Sequence, residues 1–535
     1  MSVSNENRLN TATVQDEAQK QALRSIMFAG TGSDVGKSVI AAGICRIFKQ
    51  DGLNPAPFKA QNMALNSYVT PDGLELGRAQ AMQAEACGID CRADMNPILL
   101  KPQSDGHSQV VMLGKPIGTA SAYSYFRKEG REHWRKVVHD AYDRLSREFS
   151  PIIMEGAGSI SEINLRDVDI VNMSMARHAD AAVVLVADID RGGVFASVYG
   201  SVMLQTPEDR KRIKGIIINK FRGDIRLFQP GVKMIEDLCG IPVIGVIPYF
   251  RDIVLDAEDS LALDAKNERA VEGKLNIAVV KLPHISNFTD FDVLDGLNGV
   301  NLYYTRSNEE LMKADIIILP GSKSTIQDLE IIKQERIDDT IRVAVQSGKK
   351  IIGICGGYQM MGQTVKDPLG IEGEAGETTE GLGLLPLDTE LTGEKRTTRV
   401  NARLINTPGG RIADEDTLPS DSYDITAYEI HVGRSDCHYS ESSYPLCSIA
   451  QPDGTEMLEG METDNCIGTY LHGIFDNRAF LTKILSPYSI HTSVEERARW
   501  KEEQYDKLAA HLREYLDVER LYEIMKPEAC SELHN

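Results

Sequence analysis

Short apolar runs recur along this 535-residue chain, and the segments between them are long enough to form helices. Such runs are typical of buried strands. Strands that alternate with helices form a mostly parallel sheet, because two parallel strands need a long crossover connection. The predicted strands are 25–29, 151–154, 181–187, 215–219 and 243–247 in the first half, and 275–282, 315–319, 350–354 and 466–471 in the second half.

The alternation stops over an acidic, polar stretch without periodicity and then resumes. We therefore predict two α/β domains, since a chain of this length rarely folds around one core. Near the C-terminus, Leu508, Leu512 and Leu516 recur at helical intervals in a charged segment. The predicted divisions are an N-terminal arm (1–24), a first α/β domain (25–250), a linker (251–274), a second α/β domain (275–490) and a helical tail (491–535).

The charge and cysteine content exclude some classes of protein. Lys and Arg number 58 against 79 Asp and Glu, so the net charge of −21 argues against nucleic-acid binding by bulk charge. The nine cysteines show no repeated spacing, which fits a reducing cytoplasm. No apolar run has the length of a membrane span, and the N-terminus lacks a signal-peptide core. We expect a cytoplasmic protein whose partners are neither nucleic acid nor membrane.

A glycine-rich segment follows the first predicted strand and precedes a predicted helix, which is the setting of a phosphate-binding P-loop. The usual form of this motif is G-x4-G-K-[ST]. In this chain Thr31 occupies the position of the first glycine, and the nearby Gly30 lies one residue before it. Backbone N–H groups of the loop up to Gly36 would bind phosphate oxygens of ATP. Lys37 would contact the β- and γ-phosphates and Ser38 would bind Mg²⁺. The alternative is a glycine-rich turn with an incidental lysine.

Polar side chains follow the later strands at the same sheet edge, where ligands bind in open α/β sheets. Glu155 ends one strand and is the predicted second ligand of Mg²⁺, although a solvated loop glutamate is the alternative. Asp167 and Asp169 are candidates for phosphoryl transfer to an acidic substrate, and a surface salt-bridge cluster explains them equally well. Asn219 ends another strand and is predicted to contact the nucleotide.

In the second half, an apolar run ends at Cys355, which glycines flank on both sides. Glycines allow the tight strand-to-helix turn of a nucleophile elbow, with cysteine in place of serine. The N-terminus of the following helix favours a thiolate. The alternative is a buried core cysteine, because a free cysteine packs like a small hydrophobic residue.

A cysteine nucleophile needs a base and an oxyanion hole. His472 follows the strand at 466–471 and is the candidate base, although a lone histidine is more often structural. Gly321 and Ser322 follow another strand, and their backbone with the N–H of Gly356 forms the candidate oxyanion and glutamine-binding site. An elbow cysteine and a strand-end histidine in one α/β domain favour catalysis.

Three motifs of the second half resemble class I glutamine amidotransferases. This resemblance implies that glutamine acylates Cys355, with His472 as the base, and releases ammonia. That family commonly has a glutamate two residues after the histidine, where this chain has Ile474. An orienting carboxylate must then come from elsewhere or be absent, and Glu429 is a candidate that a purely structural role also explains. The motifs are L-P-G at 319–321, G-I-C-G-G at 353–357 and G-T-Y-L-H-G at 468–473.

The first half resembles the dethiobiotin-synthetase-like P-loop ligases. The order of ligase and amidotransferase, together with Y-E-I-H-x-G at 428–433, is similar to the cobyric acid synthase family of cobalamin biosynthesis. The resemblance covers about residues 25–480. The matching motifs are G-T-G-S-D-V-G-K-S at 30–38, F-K-A-Q-N-M at 58–63, E-G-A-G-S at 155–159, D-I-D-R-G-G-V-F-A-S at 188–197 and N-K-F-R-G-D at 219–224.

This resemblance implies amidation of the b, d, e and g carboxylates of adenosylcobyrinic acid a,c-diamide, driven by ATP and glutamine. It implies an acyl phosphate intermediate that reacts with ammonia released at Cys355. ATP, Mg²⁺, glutamine and a corrinoid are the implied ligands, and no bound organic cofactor is expected. Two alternatives stay open, namely a cobyrinic acid a,c-diamide synthase and a nucleotide switch with an inactive amidotransferase domain.

Overall fold

The computed structural model describes residues 23–104, 107–121, 131–250, 252–255, 263, 266–405, 423–451, 454–490 and 494–527. The predicted N-terminal arm, except its last two residues, and part of the predicted linker lie outside these ranges. Within them, no helix has both the length and the apolar character needed to cross a bilayer.

The first half is built on a six-stranded, fully parallel sheet. The strands of this half are β1 (Ile26–Gly30), β2 (Ala56–Phe58), β3 (Gln61–Met63), β4 (Ser67–Val69), β5 (Glu75–Gly77), β6 (Ile98–Ser104), β7 (His107–Met112), β8 (Lys115–Ser121), β9 (Ile152–Glu155), β10 (Ala182–Asp188), β11 (Ile213–Phe221) and β12 (Val243–Pro248). The sheet order is β12-β11-β10-β1-β9-β2, so the predicted α/β class is confirmed. Strand β2 was not predicted, because three residues are too few to show a pattern.

Helices cover both faces of this sheet. They are α1 (Lys37–Gln50), α2 (Arg78–Cys87), α3 (Arg131–Ser146), α4 (Met173–His178), α5 (Val194–Met203), α6 (Pro207–Arg212) and α7 (Gln229–Cys239). Successive side chains of a strand point to opposite faces. Accordingly Phe28 packs with α1 on one face, whereas Met27 belongs to the cluster that contains residues of α3 and α5 on the other.

The second half contains a parallel sheet in the order β15-β13-β16-β18-β26, extended by the antiparallel edge strand β25. The strands are β13 (Leu275–Val280), β14 (Ile285–Ser286), β15 (Val300–Thr305), β16 (Ile316–Leu319), β17 (Gly321–Ser322), β18 (Lys350–Ile354), β19 (Thr364–Asp367), β20 (Glu377–Glu380), β21 (Leu387–Leu404), β22 (Asp424–Cys437), β23 (Cys447–Ala450), β24 (Glu456–Glu459), β25 (Met461–Glu462), β26 (Cys466–Thr469) and β27 (Leu471–His472). The helices are α8 (Asp292–Asp295), α9 (Asn308–Lys313), α10 (Thr325–Gln334), α11 (Ile337–Gln346), α12 (Gly356–Met360) and α13 (Arg478–Leu485).

A second sheet of this half is mostly antiparallel and is centred on the long pair β21 and β22. The short strand β27 pairs with β22, so that Tyr428 lies opposite His472. This pairing fixes the position of His472, which follows β26 at the carboxyl edge of the parallel sheet.

The C-terminal helices α14 (Val494–Tyr515) and α15 (Val518–Met525) pack against the first half. Arg46 of α1 pairs with Glu502 and Asp506 of α14, both at 2.7 Å. A Cβ atom on Gly43 would lie 2.3 Å from Leu512, so α1 and α14 approach closely only because this residue is glycine. The end of the chain therefore contributes to the core of the P-loop sheet.

The two halves meet through a buried cluster of charges. Glu75, which has no exposed surface, accepts from Lys101 Nζ at 2.8 Å and from Lys395 Nζ of the second half at 2.5 Å. Nearby, the rings of Tyr68 and Tyr428 lie 5.1 Å apart, edge to face. A buried carboxylate held by two lysines stabilises the interface only while all three charges are present.

Candidate active sites

The loop between β1 and α1 has the geometry of a P-loop. Gly36 has φ +93°, and a Cβ atom there would lie 2.2 Å from Asn219 Nδ2. Asn219 donates from Nδ2 to the carbonyl of Val35 at 2.8 Å. Asn219, predicted to contact the nucleotide, thus contacts the backbone of the P-loop.

Lys37 lies at the first turn of α1, with its ammonium group inside the loop. Its Nζ donates to the carbonyls of Gly32 at 2.9 Å and Gly158 at 3.1 Å. A Cβ atom on Gly30 would lie 2.8 Å from Lys37 Nζ, which explains a glycine at this position. The carbonyl of Thr31 accepts from the hydroxyl of Ser159 at 2.9 Å.

Glu155 ends β9 beneath the P-loop and is only 2% exposed, which excludes the alternative of a solvated glutamate. The hydroxyl of Ser38 donates to its Oε1 at 2.7 Å. Lys59 Nζ also donates to Oε1, at 2.9 Å, and Gln83 Nε2 donates to Oε2 at 2.9 Å. Ser38 and Glu155 thus present adjacent oxygen donors, the ligand type that Mg²⁺ prefers.

Lys59 and Gln83 were missed as site residues. Lys59 belongs to the F-K-A-Q-N-M segment, which had been noted only for its resemblance to other ligases. Gln83 lies on α2 and had no local signal. Both reach Glu155 because α2 and the segment after β2 pack beside β9.

The two candidate aspartates for phosphoryl transfer have different surroundings. Asp169 Oδ1 accepts from the backbone N–H groups of Val171 and Asn172, both at 2.9 Å. Its Oδ2 accepts from the N–H of Ser174 at 2.9 Å, so Asp169 holds the start of α4. Asp167 is exposed on the preceding turn. Neither residue joins the cluster around Glu155.

A cavity of about 410 Å³ lies beside the P-loop. Ser33 and Gly158 line it on the side of the P-loop. Its charged lining residues are Arg131, Arg166 and Arg177 together with Glu162, Asp169 and Asp209. The cavity therefore presents charges of both signs next to the P-loop.

A second cavity, of about 510 Å³, lies on the other side of the P-loop. Gly36 and Asn219 line it together with the aromatic residues Tyr249 and Phe250. Leu512 of α14 completes the wall. The dimensions and aromatic lining fit a nucleotide base, and sequence patterns had no means of assigning Leu512 to it.

Cys355 occupies the turn between β18 and α12 with φ +51°, an uncommon angle for a residue other than glycine. The flanking glycines are required by close packing. A Cβ atom on Gly357 would lie 2.0 Å from the carbonyl oxygen of Leu319, and one on Gly356 would lie 2.8 Å from Ser322 N. The elbow therefore rests directly on the loop that contains the predicted oxyanion residues Gly321 and Ser322.

His472 and Cys355 are brought together, as predicted, and the orienting carboxylate is Asp290. His472 Nδ1 lies 2.7 Å from Asp290 Oδ2, and the N–H of Gly473 donates to Asp290 Oδ1 at 3.2 Å. Cys355 and His472 line the same cavity, and Cys355 Sγ donates to the carbonyl of Ile430 at 3.5 Å. Burial opposes a charge on His472, but Asp290 and Cys355 together raise its pKa from 6.5 to about 10.

Glu429 was the wrong candidate for orienting His472. Its carboxylate pairs with Arg396, across the β21–β22 ladder. Ile474, which stands where related enzymes have glutamate, is fully buried in the core. Asp290 lies on the turn Phe288–Phe291, 182 residues from His472, so no sequence spacing connects the two.

The cavity at Cys355 is small, about 40 Å³, and is lined by both halves of the chain. Lys101 comes from the first half, and Lys323, Glu372 and Lys395 come from the second. The cavity at Cys355 thus lies where the two halves of the chain meet.

Two known domain families match the chain. Residues 26–261 match the CobQ/CobB/MinD/ParA nucleotide binding domain, and residues 276–480 match the CobB/CobQ-like glutamine amidotransferase domain. The fold and these matches define a protein with a nucleotide-binding P-loop half followed by a glutamine amidotransferase half.

Relatives of the same length identify the family more narrowly. The chain is 58% identical to the cobyric acid synthase of Phocaeicola vulgatus, over 95% of this chain and 99% of the relative. It is 56% identical to that of Bacteroides fragilis, over 94% and 98%. It is 52% identical to that of Parabacteroides distasonis, over 95% and 100%. The chain belongs to the cobyric acid synthase family.

Proposed function

We propose that this protein uses ATP and glutamine to amidate the b, d, e and g carboxylates of adenosylcobyrinic acid a,c-diamide, giving adenosylcobyric acid. The observation that carries the proposal is the cavity shared by Cys355 and His472, with His472 hydrogen-bonded to Asp290, in one chain with a P-loop. A glutaminase supplies ammonia, and a nucleotide site supplies the activation that a carboxylate needs. The names of the relatives agree with this product.

The glutaminase half begins with attack of Cys355 Sγ on the side-chain amide carbon of glutamine. His472 gives its proton to the leaving ammonia, and Asp290 holds the imidazole in position. Backbone N–H groups of Ser322 and Gly356 are our candidates for stabilising the oxyanion. Water then cleaves the thioester, which releases glutamate and restores the thiol.

The ligase half activates the substrate carboxylate. Backbone groups of the P-loop and Lys37 would hold the phosphates of ATP, and Ser38 and Glu155 would hold Mg²⁺, which neutralises phosphate charge. A carboxylate oxygen attacks the γ-phosphorus, and ADP leaves. Ammonia then attacks the carbonyl carbon of the acyl phosphate, and phosphate leaves. We propose that the corrinoid binds at the cavity of about 410 Å³, whose lining includes Arg131 and Arg166.

We also propose a division of the chain for this function. The ligase unit comprises residues 25–250 together with α14 and α15, whose side chains share its core. The glutaminase unit comprises residues 275–490. Both are expected to work in the cytoplasm, where ATP and glutamine are supplied.

Two variants test the proposal with glutamine or ammonium chloride as nitrogen source. Cys355→Ala is expected to lose glutamine-driven synthesis and retain ammonia-driven synthesis. Lys37→Ala is expected to lose both, because ATP no longer activates the carboxylate. Glutamine-driven synthesis by Cys355→Ala would show that the thiol is structural, and ammonia-driven synthesis by Lys37→Ala would refute the P-loop assignment.

Product analysis separates the proposal from its nearest rival, a cobyrinic acid a,c-diamide synthase. Purified protein with ATP and glutamine is offered either cobyrinic acid or its a,c-diamide, and mass spectrometry counts the amides formed. We expect four new amides on the a,c-diamide. Turnover of the unamidated acid alone would favour the rival.

A further inference from the structure

The imidazole of His472 lies flat against a tyrosine ring. His472 and Tyr428 are opposite each other in the β22–β27 pair. Their rings are stacked, with centroids 5.4 Å apart and planes inclined by 20°. A Cβ atom on Gly473 would lie 3.4 Å from Tyr428 Cε1, so the chain directly after the histidine also rests on this ring. Tyr428 therefore covers one face of the imidazole.

A stack of this kind favours a charged imidazole and fixes its plane. The face of an aromatic ring attracts a cation within about 6 Å of its centroid, most strongly where water is excluded. Burial opposes a charge on His472, but its pKa is raised to about 10, so the ring that meets Tyr428 is an imidazolium. The hydrogen bond to Asp290 holds one atom of the imidazole, Nδ1, whereas a stacked ring restrains the whole plane.

The first half of the chain supports Tyr428. The ring of Tyr68, on β4, meets that of Tyr428 edge to face, with centroids 5.1 Å apart. Val69 of the same strand is buried in one cluster with Tyr428 and Ile430. Arg399 of β21 donates from Nε to the carbonyl of Val69 at 3.1 Å, and its guanidinium lies 5.5 Å from the centroid of the Tyr68 ring. Strand β4 is thus held against the β21–β22 pair of the second half.

Strand β4 also contacts the turn that carries Asp290. The N–H of Ser67 donates to Asn287 Oδ1 at 3.1 Å. Asn287 starts this turn with φ +51°, and its carbonyl accepts from the N–H of Asp290 at 3.0 Å. Both groups that hold His472, namely the ring of Tyr428 and the carboxylate of Asp290, therefore rest on β4 of the first half.

We propose that Tyr428 is a positioning residue of the glutaminase, which fixes the plane of the His472 imidazole, and that Tyr68 of the first half holds Tyr428 in place. The proposal rests on the glutaminase function proposed above. The effect depends on the aromatic ring and not on the phenol hydroxyl, because the ring face meets the imidazole. An aliphatic side chain of similar size could fill the same space but could not reproduce the stack.

Substitutions of Tyr428 that keep or remove the ring test this role by glutamate release at varied glutamine concentration. We expect Tyr428→Leu to lower kcat by about 10- to 30-fold. KM should change less than about threefold, because Tyr428 is not among the described residues that line the cavity at Cys355. Tyr428→Phe should retain at least about a third of the wild-type kcat. Equal losses of kcat in the two variants, a wild-type kcat in Tyr428→Leu, or a loss in KM alone would overturn the proposal.

A double-mutant cycle tests the contribution of the first half. If Tyr68 acts through Tyr428, Tyr68→Leu should lower kcat by about three- to tenfold in the wild-type background. In the Tyr428→Leu background the same substitution should lower kcat by less than about twofold, because the ring that it supports is already absent. No loss in the wild-type background, or equal losses in both, would overturn the role of Tyr68.

A matched control is Tyr303→Leu, which removes another buried tyrosine of the second half, one whose hydroxyl donates to the carbonyl of Glu310. Urea unfolding should show a loss of stability in this variant and in Tyr428→Leu, whereas kcat of Tyr303→Leu should stay within about twofold of wild type. A loss of kcat as large as that of Tyr428→Leu would attribute both to packing and overturn the proposal. Hydrolysis of glutamine by Cys355→Ala would instead refute the glutaminase function itself.

Discussion

Replacing Asp290 with asparagine should disable the glutaminase while leaving the shape of the site intact. In the wild type, His472 has its pKa raised from 6.5 to about 10. At 1.36 kcal/mol per pKa unit, this rise corresponds to about 5 kcal/mol in favour of the imidazolium. Cys355 supplies part of that stabilisation, so we expect Asp290→Asn to lower kcat/KM for glutamine by about 100- to 1,000-fold.

The pH dependence of the Asp290→Asn variant follows from the same shift. Without the carboxylate, burial dominates, and the pKa of His472 should fall below its ordinary value of 6.5. Since the wild-type pKa is raised on folding, its contribution to stability is complete below pH 6.5 and is lost as the pH rises through about 10. The difference in unfolding free energy between wild type and variant should therefore be largest near pH 6 and shrink towards pH 10.

Glutamate release measured from pH 6 to 10 checks the predicted loss of activity and its pH dependence. Urea titrations at pH 6 and pH 10 check the predicted difference in unfolding free energy. The matched control is Glu429→Gln, which removes a buried carboxylate that pairs with Arg396 instead of His472. It should retain at least about a third of the wild-type rate. A wild-type rate and pH profile in Asp290→Asn, or a greater loss in Glu429→Gln, would refute the assignment of Asp290.

Three further substitutions address the nucleotide site, the interface and the C-terminal helices. Gly36→Ala should weaken ATP binding at least about tenfold by calorimetry, because its Cβ atom would lie 2.2 Å from Asn219 Nδ2. The control is Gly52→Ala, because Gly52 has a similar φ of +79° but open space around it, so this variant shows the effect of backbone strain alone. Glu75→Gln leaves two buried lysines without a carboxylate and should lower the urea unfolding free energy by about 3–5 kcal/mol. A change below 1 kcal/mol would mean that the interface tolerates the unpaired charges. Leu512→Ala should cost about 2–5 kcal/mol and also weaken ATP binding, since this side chain is 1% exposed and lines the cavity beside Gly36. Unchanged ATP affinity would separate α14 from the nucleotide site.

The sites that could be predicted are those whose residues are close together in the chain. Gly36, Lys37 and Ser38 lie together at the start of α1, and the P-loop prediction for them depends on the strand before them and the helix after them. Cys355 was predicted for the same reason, since its neighbouring glycines are needed for the tight turn that places it in the cavity. Glu155 lies next to Ser38, as strand ends that share one edge of a parallel sheet lead one to expect.

The residues that were missed reach the sites only through packing. Asp290 is far from His472 in sequence, and the common glutamate position is filled by the core residue Ile474. Lys101 reaches the cavity at Cys355 because the two halves pack together around Glu75. Spacing along the chain holds no information on contacts of this kind.

By itself, the sequence determined the two α/β units, the P-loop and the cysteine elbow, because each depends on local backbone conformation and on the period of apolar residues. It also predicted a helix over Leu508 and Leu512. Only the tertiary structure decided that this helix lines the cavity beside Gly36, and that Asp290 is hydrogen-bonded to His472. These contacts join segments at least 182 residues apart. They are selected by burial of apolar surface and by pairing of buried charges rather than by local propensity.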